Sequence, residues 1–149
     1  MNIKVKIKTW EHFKGELPAY QSSGASGFDV RAQLGGQSLT LKKGERALVP
    51  TGLSFEIPLG YEIQARPRSG WAAKHGLTLM NTPGTIDADY RGEVKIILVN
   101  LGQEDVVIQD QDRCAQLVIC PIYQAQFELS SELGQTERGS GGFGSTGKS

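Results

Sequence analysis

Apolar residues in this chain recur at every second position, in short runs broken by glycine, proline or polar turns. Lys4-Val5-Lys6-Ile7-Lys8 alternates near the start, and Tyr61-Glu62-Ile63-Gln64-Ala65-Arg66 does so mid-chain. A period of two points successive side chains to opposite faces of a sheet. The pattern predicts strands over residues 3–8, 28–32, 44–49, 51–57, 61–66, 77–81, 93–100, 106–108, 114–122 and 125–128. A parallel sheet would need crossover helices, and the sequence has almost none. Many short strands separated by turns such as Gly35-Gly36 and Pro58-Leu59-Gly60 therefore specify an all-β sandwich or barrel. One helix is expected, at Ser69-Gly70-Trp71-Ala72-Ala73-Lys74-His75-Gly76, with Ser69 as its cap and Gly76 as its end.

At 149 residues the chain supports one domain with its own core. Its 19 glycines exceed the usual share of roughly 7%. They concentrate after the apolar content collapses near Ser130, so we read residues 1–133 as a β-domain and 134–149 as a flexible glycine-rich arm. Sixteen basic and sixteen acidic residues cancel, which argues against a basic nucleic-acid binder. No apolar run approaches the ~18 residues of a membrane span. The alternating N-terminus does not read as a secretion signal either. Cys114 and Cys120, six residues apart on one strand, would lie about 20 Å from each other, too far for a disulfide. We expect two inert, buried thiols in a reducing cytoplasm.

The sequence Gly142-Phe143-Gly144-Ser145-Thr146-Gly147-Lys148-Ser149 fits a phosphate-loop pattern, but without the helix whose N-terminus that loop needs. A glycine arm that turns bare N–H groups toward an anion is the better reading. Four further segments carry chemistry. Ala25-Ser26-Gly27-Phe28-Asp29 places a carboxylate at a strand entry. Pro67-Arg68-Ser69-Gly70 puts a guanidinium and a hydroxyl at the start of the helix, a natural anion site. Asn81-Thr82-Pro83-Gly84-Thr85-Ile86-Asp87-Ala88-Asp89-Tyr90-Arg91-Gly92-Glu93 reads as a hairpin bearing an amide, two aspartates and a phenol. Asp112-Arg113-Cys114-Ala115-Gln116 sets a lone amide in an apolar strand.

Each segment has a plain reading taken alone. Asp29 and Asp87 suit turns, Arg68 a surface ion pair, and Tyr90 half-buried packing. Gln116 suits a bond to neighbouring backbone, and Trp10 and Trp71 suit a core or interface. With the arm segment Arg138-Gly139-Ser140-Gly141-Gly142-Phe143-Gly144, however, the five together resemble the five motifs of the trimeric deoxyuridine triphosphatases (dUTPases), from about Ala25 to Gly147.

That resemblance implies a jelly-roll fold, a homotrimer with shared active sites, and hydrolysis of dUTP to dUMP and pyrophosphate. It implies Asp87 as the base for a water that attacks the α-phosphorus, with Asp89 structural. Asn81, with backbone near Gly84 and Ile86, would read uracil, and Tyr90 would pack on the deoxyribose. Arg68, Ser69, Gly70 and Gln116 would meet the phosphates. In the arm, Arg138 would reach the γ-phosphate while Phe143 and Gly144 close over the base. Mg²⁺ would ride mainly on the phosphates and water, with Asp29 near it through water. A dCTP deaminase shares the fold and is the nearest rival; a non-catalytic nucleotide-binding sandwich is the second.

Overall fold

The alternation resolves into short antiparallel strands in a computed structural model that describes residues 3–142. In chain order the elements are β1 (Lys6–Thr9), β2 (Gly27–Arg31), β3 (Ser38–Leu41), β4 (Arg46–Pro50), β5 (Leu53–Glu56), β6 (Tyr61–Arg66), α1 (Ser69–His75), β7 (Leu77–Leu79), β8 (Gly84–Ile86), β9 (Lys95–Asn100), β10 (Val106–Gln109) and β11 (Arg113–Pro121). Two larger sheets, ordered β2-β11-β6-β8 and β4-β9-β7, are accompanied by the pairs β1-β5 and β3-β10. This is the all-β sandwich that the period of two calls for, and it accords with the jelly roll that the resemblance implies.

The core lies between the sheets. Ile63 on β6, Leu117 on β11, and Ile96 and Leu98 on β9 are all at or below 1% exposed. β11 carries a bulge between Arg113 and Ala115, so Cys114 and Ala115 are both buried although they are adjacent. Asn100 is fully buried yet satisfied: its amide donates to the carbonyls of Leu41 and Glu104 and accepts from Gly102 N–H. That side chain ties the end of β9 to β3 and to the following loop.

Four expectations need correction. Ser69 does not cap α1; Arg68 holds the capping position with extended backbone, and no side chain bonds the helix start. Gly76 does end the helix, at φ 66°. Residues 125–128 form no strand, because the described chain beyond Pro121 leaves the domain: Tyr123, Phe127 and Leu133 are 97%, 94% and 89% exposed. β3 and β8 were not anticipated as strands, each being only four or three residues long. Finally, residues 81–93 are not a hairpin. The chain leaves β7 in one sheet and joins β6 of the other through β8.

Both cysteines are free, as expected, but only Cys114 is buried; Cys120 is half-buried on the same strand. No helix among the described residues is long and apolar enough to cross a membrane.

Candidate active site

Crossing between sheets is what builds the cavity that gathers most of the base-reading candidates, the main cavity of the site. It has a volume of about 520 Å³ and is lined by Asn81, Gly84, Thr85, Ile86, Asp87 and Tyr90, together with Trp10, Leu48 and Ile97. β8 is the last strand of its sheet, paired only with β6, so one row of its backbone groups is free of ladder partners. Gly84 lets the Asn81 amide approach closely, since a Cβ would lie 3.0 Å from the amide nitrogen and 3.4 Å from Ala65 Cβ. The amide of Asn81 is thereby laid against the strand. The floor is apolar where Ile86 is buried, and Asp87, the next residue, is exposed at its edge.

Tyr90 closes one side. Its hydroxyl donates to the Glu93 carbonyl at 3.0 Å, and its ring lies over Gly92, where a Cβ would sit 2.6 Å from Tyr90 Cζ. Trp10, expected in a core or interface, lines the same cavity at 41% exposure, and its indole N–H donates at 2.9 Å to Ser54 Oγ, which in turn bonds the Gly92 carbonyl.

A second group forms on the neighbouring strands. Antiparallel register sets Gln116 of β11 opposite Asp29 of β2 on one side and Arg66 of β6 on the other. Asp29 receives Arg68 Nε at 3.4 Å and Arg113 Nη1 at 3.2 Å. Arg68 also donates to the Arg113 carbonyl, and Gln116 to the Pro67 carbonyl at 3.0 Å. Ser69 and Gly70 are exposed beside them at the start of α1. The pairing of Asp29 with two guanidiniums orients both while leaving the charge of the group positive by one. Such a group offers local positive charge to an anion in a chain whose net charge is zero overall.

Arg113 was not singled out from sequence, although it stands three residues before Gln116; the β11 bulge that turns it toward Asp29 has no signature in one sequence. Glu93, another residue that sequence reasoning passed over, lines the main cavity and accepts from Gly52 N–H and from His12, each at 2.8 Å. Its position two residues before Lys95, in the strand alternation, was the available signal.

The two groups do not meet within one chain: none of Asp29, Arg68, Ser69, Gly70 or Gln116 lines the cavity of Asn81, Asp87 and Tyr90. Arg138 is exposed in the chain beyond β11 and donates to the Gly141 carbonyl at 2.8 Å. Phe143 and Gly144 lie outside the described residues. No group of three or more His, Cys, Asp or Glu side chains able to hold a metal occurs among the described residues. Asp29, shared between two arginines, does not build a direct cage. The donor set fits a hydrated ion brought in on phosphate oxygens.

The fold is an all-β domain of two main sheets with a single short helix among the described residues, and comparison with known proteins narrows the class. The dUTPase family model matches residues 14–147. A deoxyuridine 5'-triphosphate nucleotidohydrolase of Bdellovibrio bacteriovorus is 74% identical over 146 residues, 98% of this chain and 97% of its own. Among solved structures, the Staphylococcus bacteriophage 80alpha dUTPase with dUPNHPP superposes with a TM-score of 0.85 at 25% identity, covering 97% of this chain and 99% of its own. A variant dUTPase of phage phi11 of S. aureus, which coordinates a structural Mg(II) ion, has a TM-score of 0.77 at 23% identity, over 89% and 99% of the two chains. This chain belongs to the dUTPase family.

Proposed function

We propose that the chain hydrolyses dUTP to dUMP and pyrophosphate, with uracil bound in the cavity at β8. The observation that carries this reading is the open edge of β8, lying in one cavity with the Asn81 amide, Asp87 and Tyr90. Backbone N–H and C=O groups near Gly84 and Ile86, with the amide of Asn81, pair with the edge of uracil. Cytosine presents the opposite donor and acceptor at the same edge, which leaves buried polar groups unpaired and rejects it. Tyr90 packs on the deoxyribose and leaves no room for a 2′-hydroxyl.

Asp87, exposed at the cavity edge, takes a proton from the water that attacks the α-phosphorus. General-base assistance of this kind contributes about 10²–10⁴-fold. Arg68, Ser69, Gly70 and Gln116 hold phosphate oxygens, Arg138 reaches the γ-phosphate, and Phe143 and Gly144 of the arm at 134–149 cover the base. Mg²⁺ is held by phosphate oxygens and water, with Asp29 contacting it through water; when bound it neutralises triphosphate charge.

Because the base-reading and phosphate-holding groups are separate within one chain, the complete site is shared between the subunits of a homotrimer. The apolar side chains of Tyr123, Phe127 and Leu133, bare on one chain, support that assembly, since a run of exposed apolar groups gains by covering on a neighbour. A cytoplasmic setting accords with the two free thiols. No nucleic acid or membrane enters the reading.

A hydrolysis panel of dUTP, dTTP, dCTP and UTP with Mg²⁺ tests the proposal. Only dUTP is expected to release pyrophosphate efficiently, and Asp87→Asn to keep nucleotide binding while losing about 10²-fold or more in kcat. Steady ammonia release from dCTP would establish a deaminase instead, and binding without turnover a signalling module.

A further inference from the structure

Glu93 stands inside the main cavity with a side chain only 10% exposed, and the proposed chemistry assigns it nothing. Its carboxylate is held from several directions. Gly52 N–H and His12 Nε2 meet Oε1 at 2.8 Å each, and Lys95 Nζ lies 3.6 Å from Oε2. The residues on either side are held by the same stretch of chain. Ser54 Oγ donates to the Gly92 carbonyl at 2.8 Å, and Thr51 Oγ1 donates to the Val94 carbonyl at 2.6 Å. Residues 51–54 thus fasten three consecutive residues, and the carbonyl left at the centre, that of Glu93, receives the Tyr90 hydroxyl.

A half-exposed tyrosine ring ordinarily changes rotamer freely. Here its hydroxyl has one acceptor, in a stretch held both by the bonds to its neighbours' carbonyls and by the anchored Glu93 carboxylate. We infer that Glu93 is a positioning residue for sugar discrimination: by fixing its own carbonyl it fixes Tyr90 against the ribose site. This rests on the reading of Tyr90 as the group that excludes a 2′-hydroxyl. Glu93 touches no reacting atom, so its removal acts on the choice between dUTP and UTP more than on kcat for dUTP.

The test compares kcat/KM for dUTP and UTP in the full-length protein carrying Glu93→Ala, Glu93→Gln, Tyr90→Phe, Tyr90→Ala and Glu93→Ala/Tyr90→Phe. A core variant, Ile108→Val on the distant β3-β10 pair, controls for lost stability alone. Glu93→Ala is expected to lower the dUTP-to-UTP ratio about tenfold, mainly by improving KM for UTP, while kcat for dUTP changes less than threefold. Glu93→Gln, which keeps an acceptor for Gly52, is expected to fold in any case and to lose about threefold. Since Glu93 acts through the tyrosine hydroxyl, the double variant should match Tyr90→Phe rather than multiply the two losses. Ile108→Val should leave the ratio unchanged.

An unchanged ratio in the Glu93 variants, or losses that multiply in the double variant, would overturn the assignment while leaving the role of Tyr90 intact. If Tyr90→Ala itself left the ratio unchanged, the reading of Tyr90 would fall and the assignment with it.

Discussion

Replacing Gly92 by alanine separates the placement of Tyr90 from the stability of the fold. A Cβ at this position would lie 2.6 Å from Tyr90 Cζ and 2.9 Å from Cε2. Non-bonded carbons settle at roughly 3.5–4.0 Å, so the ring must withdraw by about 1 Å. The hydroxyl, now 3.0 Å from the Glu93 carbonyl, then passes out of hydrogen-bond range. In stability this costs little. The lost bond is worth about 0.5–1.5 kcal/mol at most, and a ring that is 46% exposed exchanges it for water. Gly92 has no positive φ, so alanine fits the backbone and recovers about 0.4–1 kcal/mol by restricting the unfolded chain. The two effects nearly cancel, and Tm should move by no more than about 4 °C. Activity has no such compensation. A 1 Å displacement of a group that positions substrate costs up to about 10²-fold, equivalent to about 2.7 kcal/mol of transition-state stabilisation. Steady-state pyrophosphate release should show kcat/KM for dUTP falling by about 10–100-fold, with a thermal melt close to that of the parent. Unaltered turnover would refute the placement of Tyr90 at the sugar. A loss of Tm above about 10 °C would refute the claim that the substitution acts on the site alone.

Two other features give independent predictions. Burial disfavours the charge on Asp110, but N–H bonds from Leu34 at 2.6 Å and Gly36 at 3.0 Å outweigh it and hold the carboxyl below its ordinary value. Because the folded value is the lower one, the stabilisation is complete above the ordinary carboxylate range and is lost as pH falls through the folded value. Urea melts of Asp110→Asn should show a deficit of about 1 kcal/mol at pH 7 that shrinks below about pH 4; a gap that widens in acid would reverse the sign. Burial pushes the Cys114 thiol up to about 12, so it stays protonated and shielded. A disulfide reagent should label Cys120 in the native protein and Cys114 only after denaturation, read by mass spectrometry of the tryptic peptides.

Much of the fold follows from alternation alone, because a half-buried strand must repeat with period two. Where that signal was weak, the reading was weak. β8 spans three residues and begins with glycine, too few positions to establish a period, and its partner β6 lies about twenty residues earlier. Nothing local distinguishes a strand that folds back on its neighbour from one that crosses to another sheet. Residues 125–128 show the opposite error. Their alternation is real, but the described chain gives them no neighbour to pair with. Ser69 has the right chemistry for a cap, yet the chain enters the helix one residue earlier, where Arg68 serves Asp29 instead. The candidate site residues were legible as chemical types in order. Arg113, Trp10 and Glu93 were not, since a bulge, a chain terminus folded across a cavity, and a long-range anchor each depend on tertiary geometry.

The separation of the two clusters gives the arrangement its logic. A triphosphate carries about four negative charges, and concentrating enough cations for it beside Asp87 would stabilise the carboxylate and weaken it as a base. Within one chain Asp29 instead gathers Arg68 and Arg113, so the cationic group is built and oriented without Asp87 as a partner. Asp87 makes no ion pair among the described residues and is exposed to water, the state that its proposed role as general base needs before substrate arrives. On the proposed reading, cations and base come together around the nucleotide only when subunits assemble. A pair of variants makes the consequence measurable: Asp87→Asn and Arg68→Ala, each of low activity alone, should recover activity when unfolded together and refolded as mixed trimers. In a fraction of their sites one chain supplies the intact Asp87 and another the intact Arg68. Recovery no greater than the sum of the separately refolded variants would mean that each chain furnishes its own complete site.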